Sequence, residues 1–203
     1  MQTGSWEKTG APYEAVLIAS SAGGVQGLGI LLRGLDPALP VPVLIAQHLN
    51  RARETSIVAI LSRVTPLGVK LAEDGERPRP ATIHIAPPDR HLCVRGDGTL
   101  ALTREERVNF ARPAADPLFE SAAEALGPLV GCVLTGSDSD GARGIEAVKA
   151  RGGTVLVQDP QTADFLGMPK SAIGTGKVDH VLTLEEMGPA INRLTHRPTR
   201  RHR

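Results

Sequence analysis

A serine, a histidine and a carboxylate, the three residue types that together make an activated nucleophile, each stand where an apolar run of this chain ends. Val16-Leu17-Ile18-Ala19 leads into Ser20-Ser21-Ala22-Gly23-Gly24. The spacing Ala19-x-Ser21-x-Gly23 is one residue away from the Gly-x-Ser-x-Gly elbow, a strand-to-helix turn that needs small neighbours and exposes its hydroxyl. Amides at such a helix start can also receive a developing oxyanion. Taken alone, the segment reads equally well as a serine N-cap on an ordinary strand-to-helix unit. Gln47-His48 closes a second apolar run, 43–46, and Leu134-Thr135-Gly136-Ser137-Asp138-Ser139-Asp140-Gly141 follows a third, bringing two carboxylates to a helix start. A serine hydroxyl is a weak nucleophile at neutral pH. It needs an imidazole to take its proton and a carboxylate to fix that imidazole's tautomer and stabilise its cation. Singly, His48 could be a core histidine and Asp138 or Asp140 an N-cap; their joint occurrence at strand ends is what points to chemistry. Ser20 is the close rival to Ser21, but neighbouring extended residues face opposite ways.

The elements that must position these residues alternate. Strand-like runs at 15–20, 43–47, 82–86, 129–135, 154–158 and 180–183 are separated by helical patterns at 25–32, 55–64, 117–126, 141–150 and 184–194. Such alternation predicts an α/β fold, doubly wound, with a mostly parallel sheet and helices on both faces. Residues 92–102 depart from it, because Gly96-Asp97-Gly98 splits two short apolar runs and predicts a small antiparallel hairpin. If the strands are parallel, Ser21, His48 and the Asp138–Asp140 segment share the carboxyl edge of the sheet. The expected organisation is a disordered leader over 1–14, one catalytic domain over 15–196 and a basic tail over 197–203.

Composition removes several classes of function. Lys plus Arg (23) nearly balance Asp plus Glu (22), and no aromatic residue accompanies the basic tail, so the charge pattern does not suggest a nucleic-acid partner. No apolar run reaches the ~18 residues of a membrane span, and no secretory signal pattern opens the chain. Direct membrane insertion is therefore not expected. Cys93 and Cys132, each in an apolar run, are expected to be buried free thiols in the cytoplasm. The glycines after the first strand form no clean Gly-x-Gly-x-x-Gly, the second strand ends in Gln47-His48 instead of a ribose-binding acid, and no Gly-Lys-Ser/Thr occurs. His84, His91 and His180 lack the spacing of metal ligands. Neither cofactor nor metal is expected. Glu73-Asp74 and Glu105-Glu106 read as solvated charge.

Ile18-Ala-Ser-Ser-Ala-Gly-Gly24, Gln47-His48, Ala86-Pro-Pro-Asp-Arg-His-Leu92, Arg112-Pro113 with Asp116 and Leu118-Phe119, the 134–144 segment, Gln158-Asp-Pro160 and Gly167-Met-Pro-Lys-Ser-Ala172 follow in that order. Together they resemble the catalytic domain of the chemotaxis protein-glutamate methylesterase family, over about residues 15–194. The resemblance implies a cofactor-free, cytoplasmic serine hydrolase that removes methyl esters from glutamate side chains on the cytoplasmic helices of chemoreceptors, and deamidates certain glutamines. It implies Ser21 as nucleophile, His48 as general base and then acid, and Asp140 as the orienting carboxylate. Backbone N–H groups of Ala22 and Ser137 would form the oxyanion hole. Two alternatives stand beside this: a same-fold esterase or amidase for another substrate, and a catalytically weakened receptor-binding module. The chain departs from the family's usual pattern with Ala22 in place of threonine and Ser137-Asp138 in place of Met-Gly. Asp138 is expected to face solvent, its polar loop capping the next helix. Family members commonly carry an N-terminal phosphoacceptor domain, and here about fourteen unpatterned residues precede the first strand.

Overall fold

The computed structural model describes residues 12–49 and 55–196. Most of the expected leader and the whole basic tail lie outside the described residues. In chain order the elements are β1 (Ala15–Ser20), α1 (Gly24–Arg33), β2 (Val43–Gln47), α2 (Ile57–Leu61), β3 (Gly68–Leu71), β4 (Thr82–Ile85), β5 (His91–Val94), β6 (Leu100–Thr103), α3 (Ala115–Ala125), β7 (Leu129–Val133), α4 (Ala142–Ala150), β8 (Thr154–Gln158), α5 (Gly167–Gly174), β9 (His180–Leu182) and α6 (Leu184–Thr195). Seven strands form one sheet in the order β3-β4-β2-β1-β7-β8-β9, and β5-β6 form a separate two-stranded ribbon. Every pairing in the large sheet is parallel, and β5-β6 is antiparallel.

Parallel strands covered on both faces need apolar residues throughout, which explains why β1, β2 and β7 are continuous buried runs. The two-residue period then sorts side chains between two cores. Ala15, Leu17 and Ala19 of β1 join one core, which α3, α4, α5 and the ribbon fill with Leu118, Phe119, Ile145, Val148, Met168, Leu92 and Leu100. Val16 and Ile18 join the other, filled from α1, α2 and α6 by Leu28, Leu31, Leu32, Ile57, Leu61, Met187 and Ile191. Each fully buried side chain of this size contributes about 1.5–3 kcal/mol. On the first face α3 and α4 approach so closely that a Cβ on Gly144 would stand 2.5 Å from the Cβ of Phe119.

Two elements are absent from the sequence reading. β3 is a four-residue, partly exposed edge strand, too short to show a period. α5 begins and ends in glycine and carries Pro169 in its first turn, a composition that hides a helix although proline is tolerated there. Cys93 is half-buried instead of buried, while Cys132 is fully buried, and both are free.

The strand order places the functional edge. β1 has β2 on one side and β7 on the other, so the chain winds outward from β1 in one direction and later in the opposite one. At such a switch point the loops after the central strands diverge and leave a crevice at the carboxyl edge. Ser21, His48 and Asp140 follow β1, β2 and β7 respectively.

Candidate active site

Register alone brings the first two residues together. Ser20 is paired with Gln47, and Ala19 with both Ala46 and Val133, so the next residues of the three strands emerge side by side. The His48 N–H donates to Ser20 O at 3.0 Å, and the Ser21 N–H donates to Thr135 O at 3.0 Å. Ser21 Oγ stands 3.0 Å from His48 Nδ1, and His48 Nε2 stands 2.7 Å from Asp140 Oδ2. Ser21 caps no helix: α1 starts from Gly23 in the left-handed region (φ 73°), with no capping bond from a side chain. The φ of Gly23 disfavours any L side chain at this turn, and a Cβ there would also press on the Asp164 carboxylate at 2.7 Å.

Asp140 is buried and collects N–H donors. Its Oδ2 accepts from the Ala115 N–H at 2.6 Å, and its Oδ1 from the N–H groups of Asp116 and Gly141 at 3.1 Å each. Burial by itself would raise its pKa, but the bond to His48 and the amides of Ala115 and Asp116 outweigh it and hold the carboxyl below its usual range. An ionised carboxylate only accepts, so Asp140 requires the proton on His48 Nε2 and leaves the Nδ1 lone pair facing the Ser21 hydroxyl. Serine is thereby poised to lose its proton to His48.

Asp116 fastens the same loop from α3. Its Oδ1 accepts from the Gly141 and Gly144 N–H groups at 3.0 and 2.8 Å, capping α4 from another helix. Burial pushes its pKa up to about 6; the Gly144 N–H opposes this and the negative charge of Asp140 adds to it. On the nucleophile side, Ser20 is fully buried and donates to Gln47 Oε1 at 2.7 Å, while Gln47 Nε2 donates to the carbonyls of Ser21 and His48 at 2.8 and 3.0 Å. Thr135 ties the loops together: its Oγ1 donates to Ala22 O at 3.0 Å and accepts from the Phe165 N–H at 2.9 Å. The sequence reading gave no task to Asp116, Gln47 or Thr135. All three stand in the motifs that carry the family resemblance, but nothing in those motifs says what each side chain touches.

Asp138 does not simply face solvent. Its side chain is 32% exposed, with Oδ2 3.4 Å from His48 Nδ1, the nitrogen that faces Ser21. Oδ1 accepts from the Asp140 N–H at 2.9 Å within its own loop, and the start of α4 is capped from Asp116 instead of from this loop. Asp138 is also not among the described non-glycine residues with positive φ, so replacing glycine there introduces no left-handed strain. With Nδ1 unprotonated, Asp138 has no proton to accept; once His48 is an imidazolium, it does. The backbone N–H groups of Ala22 and Ser137 donate to no protein acceptor among the described residues, which leaves both available to a ligand.

Beside the triad lies an open hollow of about 390 Å³, bordered by His48, Asp138, Arg107, Phe110, Arg112 and Pro113. Its wall is the segment after the ribbon, where Val108 and Ala111 exchange backbone hydrogen bonds at 3.2 and 2.9 Å around a two-residue turn. His91, the first residue of β5, is a buried anchor: its Nδ1 accepts from the Ala114 N–H at 3.2 Å. His84 is likewise structural, with Nδ1 3.0 Å from Glu76 Oε1.

Comparison with known proteins identifies the family and the fold. The model of the CheB methylesterase family matches residues 16–191. The chain belongs to that family. A crystal structure of the CheB methylesterase catalytic domain of Thermotoga maritima superposes with a TM-score of 0.86 at 34% identity, covering 90% of this chain and 99% of that one. A Rhizobium meliloti protein-glutamate methylesterase/protein-glutamine glutaminase is 38% identical over 184 residues, and a Nocardioides one 42% over 185. This chain spans about half the length of those relatives, 52% and 50%. A Leptospira interrogans protein, provisionally given the same name, is 39% identical over 183 residues and is covered over 95% of its length.

Proposed function

We propose that this CheB-family domain is a serine hydrolase that removes methyl esters from glutamate side chains of chemoreceptors and can deamidate glutamine side chains. The observation that carries the reading is the continuous chain from Ser21 Oγ through both His48 nitrogens to the buried Asp140 carboxylate. In this reading Ser21 is the nucleophile. Its proton passes to His48 Nδ1 as Oγ attacks the side-chain carbonyl carbon, and the carbonyl oxygen, now negative, accepts from the Ala22 and Ser137 N–H groups. The imidazolium is held by Asp140 through Nε2 and returns its proton to the departing methoxy oxygen, so methanol leaves and an ester of Ser21 remains. Water then gives a proton to Nδ1 and attacks this ester; collapse returns the proton to Ser21 Oγ and frees glutamate. With a glutamine side chain the first leaving group is ammonia. His48 presents Nδ1 to serine and Nε2 to the carboxylate, and either ring nitrogen can act as base once its partner is protonated and bound.

The substrate is proposed as a cytoplasmic helix of a chemoreceptor, which would place the protein in the cytoplasm. Among the described residues no helix is long and apolar enough to cross a membrane. No cofactor takes part in the steps above. The test pairs two measurements: labelling with a fluorophosphonate, mapped to the modified residue, and methanol release from a methylated receptor cytoplasmic fragment. Labelling at Ser21 together with methanol release is the expected result. Labelling without release would favour an esterase or amidase for another substrate. Binding of the fragment with neither labelling nor release would favour a receptor-binding module.

A further inference from the structure

The turn at 108–111 takes no step in the proposed chemistry, yet it is built in an unfavourable conformation and aimed at the same hollow as His48. Asn109 (φ 50°) and Phe110 (φ 62°) are consecutive left-handed residues. Asparagine tolerates that region, whereas a bulky aromatic residue there is an outlier. Phe110 is 96% exposed, in a chain with only three Phe, one Trp and one Tyr. Phe119, by contrast, is fully buried. A scarce aromatic held in solvent by an unfavourable backbone has a use other than packing the core.

The two arginines of this wall differ in the same way. Arg112 is committed to the fold, with Nη2 2.8 Å from Asp89 Oδ1 and Nη1 donating to the carbonyls of Arg104 and Glu105 at 2.9 and 2.8 Å. Arg107 is exposed and pairs with no carboxylate among the described residues. Phe110 and Arg107 thus offer an exposed apolar surface and a cation paired with no carboxylate among the described residues to one hollow that also contains His48. Aromatic and arginine side chains are the types that dominate contact energy in interfaces.

We propose that Phe110 and Arg107 hold the polypeptide segment that carries the esterified glutamate. Phe110 packs on an apolar side chain of that segment, and Arg107 pairs with a carboxylate near the ester. The inference rests on the reading of the site as a glutamyl esterase: a polypeptide delivering its side chain to Ser21 passes over the wall beside His48. The ester itself is neutral, so the charge that Arg107 meets belongs to a neighbouring acidic residue. The specificity is for an acidic, partly apolar context around the ester.

The test uses two synthetic peptides, each with one glutamate γ-methyl ester and one leucine nearby, flanked by glutamates in one peptide and by lysines in the other, with p-nitrophenyl acetate as a small ester. Wild type is expected to prefer the glutamate-flanked peptide by about tenfold in kcat/KM, the size of one good interfacial contact. Phe110→Ser should lower the ratio of peptide to small-ester kcat/KM by about tenfold for both peptides, mainly through KM. Arg107→Glu should reverse the order of the two peptides, and added salt should shrink the wild-type preference. If wild type hydrolyses the peptides and both variants keep its ratios, the contact is refuted while the esterase reading stands. If wild type hydrolyses the small ester and neither peptide, the glutamyl-esterase reading falls and this contact with it. Equal losses on all three esters would mean the variants damage the site generally, which also refutes the contact.

Discussion

The carboxyl edge of the sheet and the wall that faces it are positioned by different means. Along the edge, parallel register does the work: Ser21 and His48 are neighbours because Ser20 and Gln47 are paired, and Asp140 follows the strand on the other side of β1. The wall, residues 104–113, lies outside the large sheet. It is held by the two-stranded ribbon, by buried His91 and by one arginine that collects Asp89 and two carbonyls. An edge set by many backbone bonds cannot shift one residue without shifting a strand. A wall held by a few side chains can vary its tip, and in this reading the chemistry is kept on the edge and recognition on the wall.

The largest effect expected is at the edge. Ser21→Ala should lower ester turnover by roughly four to six orders of magnitude, as loss of a nucleophile does in other triads. Ser20→Ala should keep most of the turnover and instead lower stability by about 1–3 kcal/mol, because Gln47 Oε1 loses its buried donor. Steady-state kinetics and urea unfolding of both variants separate the two serines; equal loss of turnover would put the nucleophile in the wrong place.

The second contrast is between two carboxylates of one loop. Asp140→Asn should cost roughly 10⁴ in kcat, because an amide in its place no longer imposes the Nε2–H tautomer. Asp138→Gly should change kcat by less than about tenfold, since its charge is partly exposed and screened. A loss for Asp138→Gly as large as that for Asp140→Asn would show that the wrong carboxylate orients His48. A large gain would show that Asp138 restrains the enzyme.

Smaller effects are expected from the wall. Arg112→Lys replaces a planar fork with a single ammonium and cannot reach both carbonyls and Asp89 at once. Peptide-ester kcat/KM should fall by about tenfold, mostly in KM, with amide exchange rising across residues 104–113. A fall confined to kcat would mean that the wall shapes the chemical step itself.

The smallest is a pH effect on stability. Asp116 holds its proton up to about pH 6 in the folded chain, whereas an unfolded aspartate loses it near 3.9. Folding therefore takes up a proton between those values, and this group's contribution to stability falls as pH rises through that window. A side-chain amide in place of the Asp116 carboxyl would keep an oxygen for the Gly141 and Gly144 N–H groups without the charge. Going from pH 4 to pH 7, Asp116→Asn should gain on wild type by up to about 3 kcal/mol, read from urea midpoints. A difference independent of pH would rule out the raised pKa.

How much of this was legible follows the range of each interaction. Continuous apolar runs mark β1, β2 and β7 because a strand buried on both faces has to be apolar along its length, and the polar residue ending each run marks the edge. β3 and α5 escaped because a four-residue edge strand and a glycine-bounded helix with an early proline carry too little pattern. The role of Asp116 escaped because it caps α4 from a helix 25 to 28 residues earlier in the chain. Asp138 was expected to face solvent while its loop capped α4; instead one oxygen accepts from the Asp140 N–H and the other lies against His48, which depends on how two crossovers fold back on the sheet.

The doubly wound sheet and the placing of Ser21, His48 and Asp140 along one edge of it were therefore written in the chain. Each follows from local pattern and from the rule that parallel strands align their carboxyl ends. Folding in three dimensions was needed for the 3.0 and 2.7 Å spacings of the Ser21–His48–Asp140 chain, the approach of Asp138 to Nδ1 and the exposure of Phe110 at the mouth of the hollow. Those are distances between side chains tens of residues apart, fixed by register, helix packing and a strained turn, and no local pattern encodes them.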